Sequence, residues 1–287
     1  MRLLIAASFV AMIGYFQFNH SICDSFTPDN DIFVPENAVA TSGITEADVR
    51  QVADQLYDIY APKFAEIKHS VAFNIQWSED QFNAYTYLNR GKAQIVMTGG
   101  MIRYPSVSLD GLTLVLCHEI GHHLAGKPKH KRGILIPSFA SAEGQSDYFA
   151  TLKCLRKFFL EQPDNTVDET KLPASVVQNC RRSFQDQNMQ NICMRSVLAS
   201  ETMAKVLNET RRNRVPNLDI ETPDPTVVKK HYLKHPNPQC RFDTYYAGAL
   251  CEIDHEEDID IKKDGVAQCT RQKGFSKGLR PNCWYKS

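Results

Sequence analysis

The stretch from residue 112 to residue 124 carries a clear hydrophobic pattern. Leu112, Leu116, Ile120 and Leu124 recur at every fourth position, and Val115 lies beside them. Apolar residues at this spacing are typical of a helix with one apolar face. We therefore predict a helix here that is buried on that face.

Weaker patterns predict further elements around this helix. Thr45–Asp48 resembles a capping box, which precedes an amphipathic helix over 49–60. Period-two alternation predicts strands over 71–77, 84–88 and 93–98, with a hairpin turn between the last two. Further helices are expected over 141–160, 175–185, 187–208 and 236–252. Asp24–Ser42 has low periodicity and two prolines, which indicates a linker or extended arm, and the basic stretch Lys127–Lys131 is predicted to be a loop.

The central helix also carries a possible metal site. His118 and His122 are four residues apart, so they project from the same side of a helix. Two imidazoles at this spacing can bind one tetrahedral zinc ion. Glu119 completes an H-E-x-x-H motif, in which the glutamate acts as general base toward a zinc-activated water. A chance match on an ordinary core helix is the alternative, although a buried glutamate without a metal or partner is costly.

A third ligand is expected downstream. The positions at which metzincins carry a glycine and a third histidine are Ala125 and Pro128, which excludes that class. Glu143 and Asp147 are again four residues apart. We predict that Glu143 binds the zinc and that Asp147 supports a ligand histidine. The reverse assignment, and an exposed acidic pair on a solvated helix face, remain open alternatives.

Several short motifs in one order resemble the HtpX and CAAX-prenyl-protease type of gluzincin. They are Asn83-Ala84-Tyr85, the strand Gln94–Met97, Gly99-Gly100, the H-E-x-x-H helix, the Glu143/Asp147 pair, and His235-Pro236 with Arg241 six residues after the histidine. The resemblance covers roughly residues 82 to 251. It implies an α+β zincin-like fold with a small mixed sheet, the H-E-x-x-H helix and a second helix that bears the glutamate.

The resemblance also implies site roles. His118, His122 and Glu143 would bind one Zn²⁺ per chain, and Glu119 would be the base. His235 would donate to the oxyanion of the tetrahedral intermediate, and Arg241 would order that region. Zinc peptidases also bind substrate along an edge strand, a role we assign to Ile95, Val96, Met97, Thr98 and Gly99. An internal strand with no free edge is the alternative.

The remaining sequence bears on compartment and domain organisation. Met1-Arg2 and the short apolar run Leu3–Phe16 predict a signal peptide over 1–23, with a membrane anchor or an acylated Cys23 as alternatives. No stable membrane span is predicted for the mature chain, which we expect to be periplasmic or extracellular. Residues 24–287 are predicted to form one domain, with a helical insertion over about 161–230 and a disulfide-stapled extension over about 252–287. Lys plus Arg and Asp plus Glu number 33 each, which gives no indication of nucleic-acid binding.

The cysteines support export. Apart from Cys23, the chain has eight of them, which sequence alone can pair in 105 ways. If Cys240 and Cys251 share one helix, they lie about 16 Å apart, beyond the roughly 7 Å limit of a disulfide. They are therefore expected to pair with Cys269 and Cys283, in an order that remains open. We also expect Cys180–Cys193, and either a Cys117–Cys154 disulfide or simple packing.

Together, these features predict a zinc-dependent endopeptidase that acts on peptides or proteins. A non-catalytic exported protein that uses the fold for zinc binding or chaperone work is the alternative. A third possibility is a latent protease whose cleft is covered by Asp24–Ser42 or by a tail loop. The substrate and the oligomeric state are not predicted.

Overall fold

The computed structural model describes residues 21–22, 25–38, 43–132, 136–211 and 214–287. Most of the predicted signal peptide and Cys23 lie outside the described residues. Helices pack against a small mixed sheet, so the α+β class predicted from the sequence is confirmed.

The main sheet has four strands in the order β1-β3-β4-β2. Their bounds are β1 Ser21–Ile22, β2 Ser70–Gln76, β3 Ala84–Asn89 and β4 Lys92–Thr98. β2 pairs with β4 in parallel, whereas the β3–β4 and β1–β3 pairs are antiparallel. The three predicted strands are therefore present, within one residue of their expected ends.

The prediction of a substrate-binding edge at Ile95, Val96, Met97, Thr98 and Gly99 is wrong. β4 is hydrogen-bonded to β2 on one side and to β3 on the other. The first four of these residues are at most 2% exposed, and the last begins helix α2, Gly99–Ile102. β4 therefore has no free main-chain groups with which to pair a peptide, and β3 is the strand whose far side faces outward from the β2–β4 pair.

Helices surround this sheet. They are α1 Glu46–Glu66, α3 Leu109–Leu124, α4 Glu143–Phe149, α5 Leu155–Leu160, α6 Ala174–Ser183, α7 Gln187–Glu209 and α8 Pro238–Leu250. The predicted capping box is present, because the Thr45 side chain accepts from the Asp48 amide and Asp48 accepts from the Thr45 amide.

Two local predictions need correction. The expected single helix over 141–160 is interrupted by a π-helical turn, Ala150–Cys154. The stretch Lys127–Lys131 is not simply a loop, because Lys129–Arg132 forms β5, which pairs with β6, Ile136–Ser141. This hairpin connects α3 to α4.

Helix α3 is the centre of the core. Every residue from Gly111 to Leu124 is buried, so the prediction of one buried face was too narrow. The reason is that α3 contacts α1, α4 and α7 as well as β3, β4 and β6. Any ionisable side chain on this helix therefore lies in the interior and needs a partner there.

Four disulfides join these elements: Cys117–Cys154, Cys180–Cys193, Cys240–Cys283 and Cys251–Cys269. The expected pairings are thus confirmed, and the open order in the tail is resolved. Structural disulfides persist in oxidising environments, so the map indicates an oxidising compartment. None of the described helices is long and apolar enough to cross a bilayer.

The two predicted additions pack against helices that carry the candidate site. α7 in the insertion contacts α3 and α8. In the tail, Trp284 is fully buried and its indole nitrogen donates to the Thr244 hydroxyl at 2.9 Å. Both additions therefore fix α8, whose residue Arg241 reaches the site described next.

Candidate metal centre

Helix α3 places two histidine side chains next to each other. Ser108 caps the helix by accepting from the Gly111 amide at 3.1 Å, and His118 and His122 follow one turn apart. Their ring centroids are 4.7 Å apart and both side chains are fully buried. The local sequence thus produces a paired imidazole site by helical spacing alone.

Helix α4 places a carboxylate next to these two histidines. Glu143 is the first residue of α4 and is fully buried. α3 and α4 approach closely at Gly121, where an added Cβ would lie 3.0 Å from the Ser146 Cα. Because this close approach needs glycine, a larger residue at 121 would separate the carboxylate from the imidazoles.

The distances between these donor atoms fit one zinc ion. Nε2 of His118 lies 3.3 Å from Oε2 of Glu143, and Nε2 of His122 lies 3.7 Å from Oε1 of Glu143. A tetrahedral ion with bonds of about 2.0–2.2 Å holds its donor atoms about 3.4 Å apart. Two imidazoles and one carboxylate, with a fourth position left open, are also the donor set of catalytic zinc.

The bonding state of these atoms supports the same conclusion. Within the described part of the chain, Nε2 of His118 and both oxygens of Glu143 have no regular hydrogen-bond partner. Burial opposes ionisation of Glu143, but the surrounding histidines, His235 foremost, hold its pKa well below the usual range. A buried carboxylate that stays charged without hydrogen bonds is the condition that a bound cation satisfies.

A second cluster of potential ligands does not fit a metal. Asp224, Cys240 and Cys283 lie close together. However, Cys240 and Cys283 form a disulfide, so neither sulfur is the thiolate that zinc binds. Among the described residues, the group of His118, His122 and Glu143 is therefore the better candidate.

Each imidazole is oriented by a buried group that contacts its Nδ1 atom. Nδ1 of His118 lies 2.7 Å from Oδ1 of Asp147, and Nδ1 of His122 lies 2.8 Å from the Ser141 carbonyl oxygen. Because both acceptors take a proton from Nδ1, Nε2 of each ring is left to face the metal. Asp147 therefore contacts the Nδ1 side of the His118 ring, and Glu143 lies near the Nε2 side, next to the candidate zinc position.

Arg241 holds Asp147 in turn. Its Nε donates to Oδ2 at 2.9 Å and its Nη2 donates to Oδ1 at 2.7 Å. Burial opposes ionisation of Asp147, but the guanidinium outweighs it and lowers the pKa of this carboxyl. Asn237 caps α8 by accepting from the Cys240 amide, and Pro238 follows it, so Arg241 lies in the first turn of α8.

We predict that Asp147→Asn weakens zinc binding about 10–100-fold, the usual effect of losing a group that orients a ligand. The asparagine side chain cannot accept the hydrogen bond from Nδ1 of His118 and also accept both hydrogen bonds from Arg241. Competition titration with a zinc-sensitive dye measures the dissociation constant. Asp110→Asn is the control, because Asp110 also pairs with an arginine, Arg195. An unchanged dissociation constant in Asp147→Asn would show that Asp147 does not support the site.

Glu119 differs from the other carboxylates here. It is fully buried, and neither of its oxygens has a hydrogen-bond partner in the described residues. Burial raises its pKa to about 8, although the nearby charges of His118 and Arg241 act in the opposite direction. A carboxylate with a pKa near the operating pH is suited to proton transfer.

His235 reaches the same centre from the segment before α8. The Glu143 amide donates to the Leu233 carbonyl oxygen at 3.2 Å, which ties this segment to the start of α4. Nε2 of His235 lies 3.3 Å from Oε2 of Glu143 and 2.5 Å from the Ser25 carbonyl oxygen. Since a carbonyl oxygen only accepts, Nε2 is the donor in this contact.

Two further residues at the site were not assigned there from the sequence. His130, on β5, has Nε2 3.6 Å from Oε1 of Glu143. Phe26 is fully buried, with its ring 5.1 Å from the ring of His118. Neither residue belongs to a periodic pattern or a spaced motif, so local sequence gave no signal for either.

Comparison with known proteins gives one match. The model of Peptidase family M48 matches residues 44–141, about a third of the chain, which includes α3 and ends just before Glu143. No curated protein and no solved structure gave a significant match. The matched segment and the metal-binding group together fit an α+β zincin-like fold, and over residues 44–141 the chain is similar to Peptidase family M48.

Proposed function

We propose that the protein is a zinc-dependent endopeptidase of the HtpX and CAAX-prenyl-protease type, exported from the cytoplasm and folded as one domain over 24–287. The observation that carries the proposal is the convergence of His118, His122 and Glu143 at zinc-binding distances, with Glu119 beside them. When bound, zinc polarises the scissile carbonyl and activates a water for attack.

The chain's own groups have distinct roles in this reaction. Glu119 takes the proton from the attacking water and passes it to the leaving amine. Nε2 of His235 donates to the carbonyl oxygen as negative charge develops there, an interaction usually worth about 3 kcal/mol. Asp147 and Arg241 keep His118 oriented.

The alternative of a non-catalytic zinc-binding protein explains less. Zinc binding alone requires the two histidines and Glu143. It does not require a fully buried glutamate without hydrogen bonds, which costs free energy of folding. Glu119 therefore favours catalysis.

A peptide library tests the proposal. Zinc-loaded wild type and Phe26→Gly, in which the aromatic ring next to His118 is absent, are incubated with quenched fluorescent peptides. We expect hydrolysis that a zinc chelator abolishes and that added zinc restores. If neither protein cleaves any peptide while each retains one zinc per chain, the proposed activity is wrong and the non-catalytic alternative is favoured.

A further inference from the structure

A short piece of the chain's own N-terminal region lies across the candidate site. The Ser25 carbonyl oxygen accepts from Nε2 of His235 at 2.5 Å. The Phe26 amide donates to the Ala84 carbonyl oxygen, and the Phe26 carbonyl oxygen accepts from Nη1 of Arg241, both at 2.8 Å. All three contacts are to the main chain, which is how an extended peptide binds to a sheet edge and its surroundings.

This piece lies along the outer side of β3. In the chain that still carries residues 1–23, β1 pairs antiparallel with β3 through Ser21↔Leu88 and Ile22↔Tyr87. The Phe26–Ala84 bond, which does not need that segment, continues in the same direction along β3. Since β4 is internal, this side of β3 is the position at which an added peptide strand would pair. The chain's own residues occupy it.

The Phe26 side chain is held as firmly as the main chain. It is fully buried, packs edge-on against His118 and lies with its ring centroid 4.4 Å from the Arg241 guanidinium carbon. By contrast, Phe33 in the same N-terminal segment is 62% exposed. Because Phe26 is buried while Phe33 is exposed, we infer that Phe26 occupies a specific aromatic pocket next to the candidate zinc position.

These contacts place the Ser25–Phe26 peptide bond next to His235, whose Nε2 lies 3.3 Å from Oε2 of Glu143. The Ser25 carbonyl oxygen accepts a hydrogen bond from His235, to which we assign oxyanion stabilisation. The Phe26 nitrogen belongs to the same peptide unit. We propose that Ser25–Phe26 is the chain's own processing site, with Phe26 in the pocket for the residue that follows the scissile bond. This inference rests on the proposed peptidase function.

The cleavage is a simple hydrolysis. A water oxygen bonds to the Ser25 carbonyl carbon, the bond from that carbon to the Phe26 nitrogen breaks, and the nitrogen takes a proton through Glu119. The products are a peptide that ends in the Ser25 carboxylate and a chain that begins with the Phe26 amine. While Ser25 and Phe26 occupy this position they compete with other peptides, and His118, Glu119 and Glu143 are all fully buried in this arrangement.

Occupancy is tested first without catalysis. A fluorescein-labelled peptide of residues 24–31 is titrated, by anisotropy, into zinc-loaded full-length protein carrying Glu119→Gln. We expect the further change Phe26→Gly to tighten peptide binding at least about tenfold, because loss of a buried aromatic ring weakens the competing internal piece. Phe33→Gly is the matched control and should leave the affinity unchanged. Phe26→Leu keeps apolar packing and is a control for misfolding of the glycine variant. Its peptide affinity should lie between those of Phe26→Gly and Phe33→Gly. Equal affinities in all four proteins, or no binding to any, would overturn the proposal.

Cleavage is then tested by intact mass and N-terminal sequencing. Zinc-loaded wild type and Phe33→Gly should yield a chain that begins Phe-Thr-Pro-Asp. Phe26→Gly should yield the corresponding chain, which begins Gly-Thr-Pro-Asp, at least about tenfold more slowly, and Glu119→Gln should yield none. If wild type cleaves library peptides yet Ser25–Phe26 stays intact, the processing site is wrong while the peptidase function stands. If wild type cleaves neither, the peptidase function and the processing site are both wrong, and the binding titration still reports what occupies the cleft.

Discussion

Replacing Glu119 with glutamine is expected to lower kcat by about 10²–10⁴-fold, the usual contribution of a general base, and to leave the zinc content unchanged. Glutamine has nearly the same size and fits the same buried position, but its amide cannot accept the proton of the attacking water. Because Glu119 lies outside the group of His118, His122 and Glu143, the metal ligands stay intact.

The measurement is kcat on the best library peptide, with zinc content determined by mass spectrometry on the same samples. Glu201→Gln is the control, since Glu201 also lies within a helix and pairs with Lys205 at 2.6 Å. Glu119→Gln with wild-type kcat would exclude this glutamate as the base. Loss of zinc in that variant would mean that Glu119 helps to hold the metal.

Replacing Glu143 with alanine is expected to weaken zinc binding by at least about 10²-fold, more than the loss of a supporting group. The reason is that two imidazoles alone remain as ligands, and the carboxylate that would bind the ion directly in this buried site is lost. Hydrolysis should fall to background at zinc concentrations that saturate wild type. At a free zinc concentration about 100 times the wild-type dissociation constant, wild type gains about 2.7 kcal/mol of unfolding free energy, and the variant should gain no more than about 0.4 kcal/mol.

Chemical denaturation with and without zinc measures this difference. Glu46→Ala is the matched control, because Glu46 is likewise the first residue of a helix, α1, but forms a solvent-accessible pair with Arg50. We expect that control to keep the full zinc-dependent stabilisation. An equal gain in Glu143→Ala would rule out Glu143 as a ligand.

Features set by local periodicity were predictable from the sequence. His118 and His122 lie on one side of α3 because helical spacing puts them there, and the same rule brought Glu143 and Asp147 to one side of α4. The capping box at Thr45 and the strand limits also follow from patterns within a few residues. Spacing could not decide which of Glu143 and Asp147 faces the imidazoles, and the contact from Asp147 to Nδ1 of His118 favours Glu143 on the metal side.

Strand order depends on distant parts of the chain. β2 pairs in parallel with β4, although β3 lies between them in sequence. Alternation within Ile95–Gly99 carries no information about that parallel partner, so the edge assignment failed. Ile95, Val96 and Met97 are all apolar, and a continuous apolar run is typical of a strand covered on both faces, which was the signal available from the sequence.

Asp24–Ser42 illustrates a different limit. It was expected to be a linker or an arm because it lacks periodicity, yet Phe26 and Thr27 are at most 1% exposed. The hydrogen bonds of Ser25 and Phe26 to His235, Ala84 and Arg241 are made by their main chain. Such contacts leave no hydrophobic repeat in the sequence.

The central claim is that two imidazoles and one carboxylate hold a zinc ion. Zinc K-edge X-ray absorption on the full-length, zinc-loaded protein tests it most directly. We expect nitrogen and oxygen donors at about 2.0–2.2 Å, an imidazole signal from two rings, and loss of one ring's signal in His118→Ala. Sulfur donors at about 2.3 Å, or an unchanged spectrum in His118→Ala, would contradict it.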